Sequence, residues 1–154
     1  FNINELLELV ASTLKVKAFD KNISIVFENT NTPVMVYADY EKIQRVIYNL
    51  LDNAIKFTNK NGKIILKTEE LEQKAYISII DNGIGMKEDE QARIFDRLYK
   101  ADSSRGMDKT GSGLGLSIVK EFIKAHNEEI FVKSTLGKGS TFTFTLKLYN
   151  KNKK

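Results

Sequence analysis

Three short clusters hold the residue types that could do chemistry: Asn49-Leu-Leu-Asp-Asn53-Ala-Ile-Lys56, Asp81-Asn-Gly83-Ile-Gly85 and Gly111-Ser-Gly113-Leu-Gly115. On a helix, at about 100° per residue, Asn53 falls about +40° and Lys56 about −20° from Asn49. Ile43, Val46, Ile47, Leu50, Leu51, Ala54 and Ile55 fill a wide apolar face beside them. Two amides and an ammonium therefore share one polar edge. Amide oxygens are hard neutral ligands that suit Mg2+, and a lysine acts on phosphate as a point charge. Read alone, the same pattern also describes the wet face of an amphipathic helix.

The second cluster follows Ala75-Tyr-Ile-Ser-Ile-Ile80, whose aromatic and β-branched residues predict a buried strand with Asp81 at its end. An ionised carboxylate only accepts hydrogen bonds, so it can pair with the exocyclic amino group of adenine but does not suit guanine's carbonyl. Gly83 and Gly85 are expected to take positive φ and to let the backbone approach a flat base. An ordinary Asp-Asn-Gly turn is the plainer alternative.

The third cluster opens an amphipathic helix predicted from Leu114 to about His126, with Leu116, Val119, Phe122 and Ile123 at helical spacing. Unpaired N–H groups and the positive end of the dipole make such a terminus an anion site, and alternate glycines admit phosphate oxygens closely. A flexible linker would read the same way. No P-loop is present, and no Gly-x-Gly-x-x-Gly suits a Rossmann fold. Taken together, the clusters form an inventory suited to holding Mg-ATP.

In this order the clusters resemble the motifs of the GHKL ATPases, and within them the catalytic ATP-binding domain of bacterial two-component sensor histidine kinases. Asn49 to Lys56 is similar to the family's N box, Asp81 to Gly85 to its first glycine box, Phe95 to Lys100 to its F box, and Gly111 to Gly115 to its second glycine box. Gly137-Lys-Gly139-Ser-Thr141-Phe resembles the closing Gly-x-Gly-Ser/Thr segment. The likeness runs from the opening helix to the last strand near Leu148.

The resemblance implies roles residue by residue. Asn53 would ligate magnesium with Asn49 assisting, and Lys56 would bind phosphate. Asp81 would read adenine, Gly83 and Gly85 would lie under the base, and Tyr99 would sit near its edge. Lys100 and Arg105 would reach the phosphates from a lid over about 96–113. Gly111, Ser112, Gly113, Leu114 and Gly115 would supply the hinge and amides for the β and γ phosphates, and Ser140 or Thr141 would steady Asp81. The catalytic set is then Asn49, Lys56, Lys100 and Arg105.

Departures from the family pattern refine this. ATP-hydrolysing members carry a glutamate where this chain has Asn49, and an amide has no useful basicity, so the chain is expected to hold ATP without efficient hydrolysis. Asp52 is acidic but lies about 60° from Asn49 on the helix. Leu98 replaces a frequent phenylalanine and Lys100 a usual arginine, which turns a bidentate phosphate contact into a single one. Asn127-Glu128 replaces two glycines after His126, and Asn tolerates the left-handed conformation a helix end requires.

The chain has 154 residues, 42% of them hydrophobic, which suits one domain with a single core. It lacks cysteine, which excludes disulfides and thiolate metal sites. No run of about 18 apolar residues and no signal peptide is present. The net charge is +4, but Lys151, Lys153 and Lys154 supply most of the excess, so the domain is read as 1–149 with a basic tail at 150–154 and without a nucleic-acid role. A start at Phe1 gives the expectation of a fragment, the cytoplasmic domain of a protein anchored in the cell membrane by segments not included here.

Elements follow from patterning. Asn4 is expected to cap a helix with Ile3, Leu6, Leu7, Val10 and Leu14 on one stripe. Strands are predicted over Ile23–Glu28, Val34–Tyr37, Lys63–Glu69, Tyr76–Ile80, Ile130–Ser134 and Thr141–Leu148, with Asp39 capping the helix of the first cluster. The expected fold is a two-layer α/β sandwich, the Bergerat ATP-binding fold, a mixed sheet with helices on one face. His126 is read as a partly charged imidazole that complements a helix C-terminus, and no acceptor histidine is present. The resemblance thus implies a kinase domain that donates the γ-phosphoryl of ATP to a histidine on an absent dimerisation domain, with a response regulator downstream and a homodimeric whole. A nucleotide-sensing module and a GHKL-type ATPase are the alternatives.

Overall fold

The computed structural model describes residues 1–29, 32–97, 99 and 115–150. Two helices, α1 (Ile3–Thr13) and α2 (Lys15–Asp20), precede strands β1 (Ser24–Glu28) and β2 (Val36–Tyr37). Helix α3 (Tyr40–Phe57) leads to β3 (Lys63–Leu71), β4 (Lys74–Asp81) and the single turn α4 (Glu88–Gln91). Helix α5 (Gly115–Ala125), β5 (Ile130–Thr135) and β6 (Gly139–Leu148) complete the order. The cap of α1 is Asn2, not Asn4: its side chain accepts from the Asn4 N–H at 3.0 Å. Asp39 caps α3 as its position suggests, accepting from the Lys42 N–H at 3.1 Å.

The sheet is mixed, in the order β1-β3-β4-β6-β2, with β5 also on β6. β1 runs parallel to β3, and the remaining pairings are antiparallel. Register arranges three core-facing rows across β3, β4 and β6: Thr68, Ile77 and Phe144; Leu66, Ile79 and Phe142; and Ile64, Asp81 and Ser140. All nine side chains are buried. Intervening residues such as Lys67, Ser78 and Thr143 take the opposite face, because side chains alternate along a strand.

Helices cover one face only. Ile3, Leu6 and Leu7 of α1, Ile43, Ile47, Leu50 and Leu51 of α3, and Val119 and Ile123 of α5 are fully buried over these rows. This is the expected two-layer α/β sandwich. Asn127 has φ +57°, and the Asn127 and Glu128 N–H groups donate to the Lys124 and Ile123 carbonyls, so asparagine closes α5 in the left-handed conformation foreseen for it.

Phe144, wholly buried mid-strand, is the natural probe of this core. Phe144→Ala is expected to cost about 3–5 kcal/mol through lost transfer and an unfilled cavity, read as a drop in the urea midpoint at unchanged slope. A loss below 1 kcal/mol on the same scale would mean that the sheet-to-helix packing is not the main source of stability.

Candidate functional site

β4 carries Asp81 into the core-facing row, where its neighbours Ile64 and Ser140 leave it only 9% exposed. Oδ1 accepts from the Gly83 N–H at 2.9 Å and the Ser140 N–H at 3.2 Å. Burial pushes the carboxyl above its ordinary range, and those two N–H groups oppose the shift in part. Both bonds fall on one oxygen, which leaves Oδ2 for a donor in the adjoining cleft. Phe57, Ile84, Met86, Ile94 and Phe142 form the apolar walls of that cleft, with Asn53, Asp81, Gly85 and Ser140 completing it.

The glycines serve the backbone differently from expectation. Gly85 has φ +67°, but Gly83 is not among the positive-φ residues. A Cβ on Gly83 would lie 2.1 Å from the Phe57 carbonyl oxygen, and one on Gly85 would lie 2.1 Å from the Thr135 carbonyl oxygen. Gly83 is required because the strand end packs directly on the last turn of α3, where Ile84 N–H also donates to the Phe57 carbonyl at 3.0 Å.

Of the two hydroxyl residues after Gly139, Ser140 is the partner of Asp81, and it acts through its backbone N–H. Thr141 pairs with Ile80 and Lys133, so strand alternation turns it to the sheet's other face, away from Asp81. The Ser140 hydroxyl meets Ser134 Oγ at 2.8 Å, and Ser134 Oγ also accepts from the Met86 N–H at 2.7 Å. Gln91 bonds both the carbonyl and the N–H of Ser134. The segment after Gly85 is thereby fixed to the β5–β6 hairpin.

α3 presents Asn49, Asn53 and Lys56 along its partly exposed edge, as the helical angles require. Asn49 Nδ2 donates to the Gly115 carbonyl at 3.3 Å, which joins the first cluster to the start of α5 and leaves its Oδ1 available. Lys56 Nζ lies 3.3 Å from Asp52 Oδ2, and Asp52 Oδ1 also accepts from Lys17 Nζ at 3.1 Å. Asp52 is therefore an ion-pair partner, not a base facing the cleft.

The Tyr99 ring lies 4.7 Å from the Arg93 guanidinium. Phe95 of the F box packs edge-on against Phe142, at 6.0 Å between centroids, and so buttresses the cleft wall. Lys100, Arg105, Gly111, Ser112, Gly113 and Leu114, with most of the expected lid and residues 151–154, lie outside the described residues. His126 follows the last residue of α5. Its Nε2 accepts from the Asp39 N–H at 3.0 Å and its Nδ1 lies 2.8 Å from the Phe122 carbonyl oxygen, so the ring links the end of α5 to the cap of α3.

The walls Phe57, Ile84, Met86, Ile94 and Phe142 were absent from the candidate residues. Two of them carry a signal in the sequence: Phe57 follows Lys56 on α3, and Phe142 shares the face of Ser140 on β6. A larger groove, of about 490 Å3, lies between α1, α2 and β1, but its lining of Ala11, Phe19, Ile25 and Phe27 with Glu8 and Lys15 brings no set of polar groups together.

Residues 38–150 match the family described as "Histidine kinase-, DNA gyrase B-, and HSP90-like ATPase". The chain belongs to this family. It is 40% identical, over 84% of its length, to the adaptive-response sensory kinase SasA of Crocosphaera subtropica, of which it covers 34%. It therefore spans about a third of the length of that relative. The fold matches the catalytic domain of the histidine kinase ThkA, with a TM-score of 0.84 at 32% identity over 96% of this chain and 93% of that one. A second ThkA structure, a complex with the response regulator TrrA, matches with a TM-score of 0.81 at 29% identity over 99% of this chain and 42% of that one. Among the described residues no helix is long and apolar enough to cross a membrane.

The raised Asp81 carboxyl makes a testable consequence for stability. Above its folded pKa the buried charge is a cost, which is relieved as pH falls through that raised value towards the ordinary 3.8. Asp81→Asn retains an acceptor for both N–H groups and has no such titration. Its stability relative to the wild type, from urea melts, should be highest near pH 7 and decline towards about pH 4. A relative stability that rises on acidification would show the opposite shift.

Proposed function

We propose that this domain binds Mg-ATP and presents the γ-phosphoryl group to a histidine on a separate dimerisation domain. The observation that carries the reading is Asp81, a buried carboxylate fixed by two backbone N–H groups at the head of an apolar cleft. Its Oδ2 fits the exocyclic amino group of adenine, and Phe57, Ile84, Met86 and Phe142 offer apolar surface to a flat base. Asn53 at the cleft and the free Oδ1 of Asn49 fit a magnesium ion that takes its other ligands from phosphates and water. Bound Mg-ATP supplies the transferable phosphoryl group.

The chain's own residues then position and neutralise. Lys56 counters phosphate charge, with Lys100 and Arg105 proposed to do so from the segment 96–113, and Gly111 to Gly115 to offer backbone amides. Asn49 cannot activate water, so the nucleotide is held for transfer. By analogy with ThkA, whose structure includes a response regulator, the whole protein would pass the phosphoryl group on to such a partner. It would work as a homodimer, with this domain on the cytoplasmic side of the cell membrane.

Titration with a fluorescent ATP analogue tests the site. Binding should require Mg2+, and Asp81→Ala and Asn53→Ala should each weaken it about tenfold or more, the scale of a lost charge-assisted contact. The Mg-ATP complex should then phosphorylate an isolated dimerisation hairpin on histidine. Steady hydrolysis by the chain alone at ~1 per second or faster would instead favour an ATPase.

A further inference from the structure

A contact from outside the matched region reaches the phosphate-facing edge of α3. Residues 38–150 carry the family match, whereas α2 precedes them. Lys17 of α2 and Lys56 of α3 share Asp52, at 3.1 and 3.3 Å, on its two different oxygens. The Asp52 side chain is only 15% exposed, so this carboxylate is less screened than a surface one. Lys21, just past α2, places Nζ 2.8 Å from the Ile55 carbonyl and 3.0 Å from that of Lys56. The segment Lys17 to Lys21 therefore grips both the side-chain partner and the backbone of the Lys56 turn.

We propose that Lys17 is a positioning residue for nucleotide binding: by occupying Asp52 it leaves the charge of Lys56 to the triphosphate. The inference rests on the reading of Lys56 as a phosphate contact. Asp52 alone would pair fully with Lys56 and would also place a negative charge within one side-chain length of the phosphates. Coulomb's law makes that repulsion modest at a partly solvated edge, and Lys17 cancels it without touching the ligand. The base-reading end of the cleft, at Asp81, is fixed independently by Gly83 and Ser140.

The test compares Mg-ATP with adenosine as competitors of a fluorescent nucleotide, because adenosine has the base without the phosphates. Lys17→Met should weaken Mg-ATP about threefold, leave adenosine unchanged, and lose its effect as salt is raised. In an Asp52→Asn background the same substitution should have no further effect, since the carboxylate it neutralises is gone. Equal losses for adenosine and Mg-ATP, no loss at all, or a Lys17→Met effect that persists in Asp52→Asn would each overturn the proposal. Lys56→Met separates it from its premise. If that variant keeps the parent's preference for Mg-ATP over adenosine, the phosphate reading of Lys56 falls and the proposal with it; if the preference is lost while the Lys17 and Asp52 effects simply add, only the proposal falls.

Discussion

A carboxylate placed where a core residue belongs is the constraint around which this end of the molecule is organised. In the two neighbouring rows of the sheet the middle position is Ile79 or Ile77, and in the third it is Asp81. Such a group is costly unless donors reach it, and two main-chain N–H groups do so here. One arrives because the chain turns at Gly83 against the Phe57 carbonyl, and the other because the register of β6 sets Ser140 directly across. Gly139 completes the requirement: with φ +126°, and with a Cβ that would lie 2.0 Å from the Asp81 carbonyl oxygen, its position admits no side chain.

Once Asp81 is fixed, α3 sets every other distance. Its buried face is clamped over the sheet, so its polar edge has no rotational freedom, and Asn49, Asn53 and Lys56 inherit their directions from residues such as Ile47, Leu50 and Ala54. Both ends of the helix are held by other segments. At the N-terminus the ring of His126 accepts from the Asp39 N–H while its other nitrogen bonds Phe122, which couples α5 to the cap of α3. At the C-terminus Lys21 donates to the last carbonyls, a favourable position for a cation at the negative end of the dipole.

Much of this could be read from sequence because the governing patterns are local. The α3 wheel depends only on helical periodicity, and the polar edge and apolar face fall where about 100° per residue puts them. The end of β4 at Asp81, the cap at Asp39 and the left-handed Asn127 likewise follow from residue type and near neighbours. What sequence could not show was tertiary. Whether Ser140 or Thr141 meets Asp81 depends on the register of β4 against β6, in which one step exchanges the faces. The purpose of Gly83 depends on where the end of α3 lands, and the partner of His126 is an N–H from 87 residues away. Lys17 and Asp52 are separated by 35 residues and share no motif, so only the packing of α2 beside α3 reveals their pairing.

The same pairing bears on whether α3 offers a free base. To split a phosphoanhydride a protein must offer a base that is free, ionised and aimed at water. On the polar edge of α3 Asn49 is an amide, and Asp52 is committed to two ammonium groups.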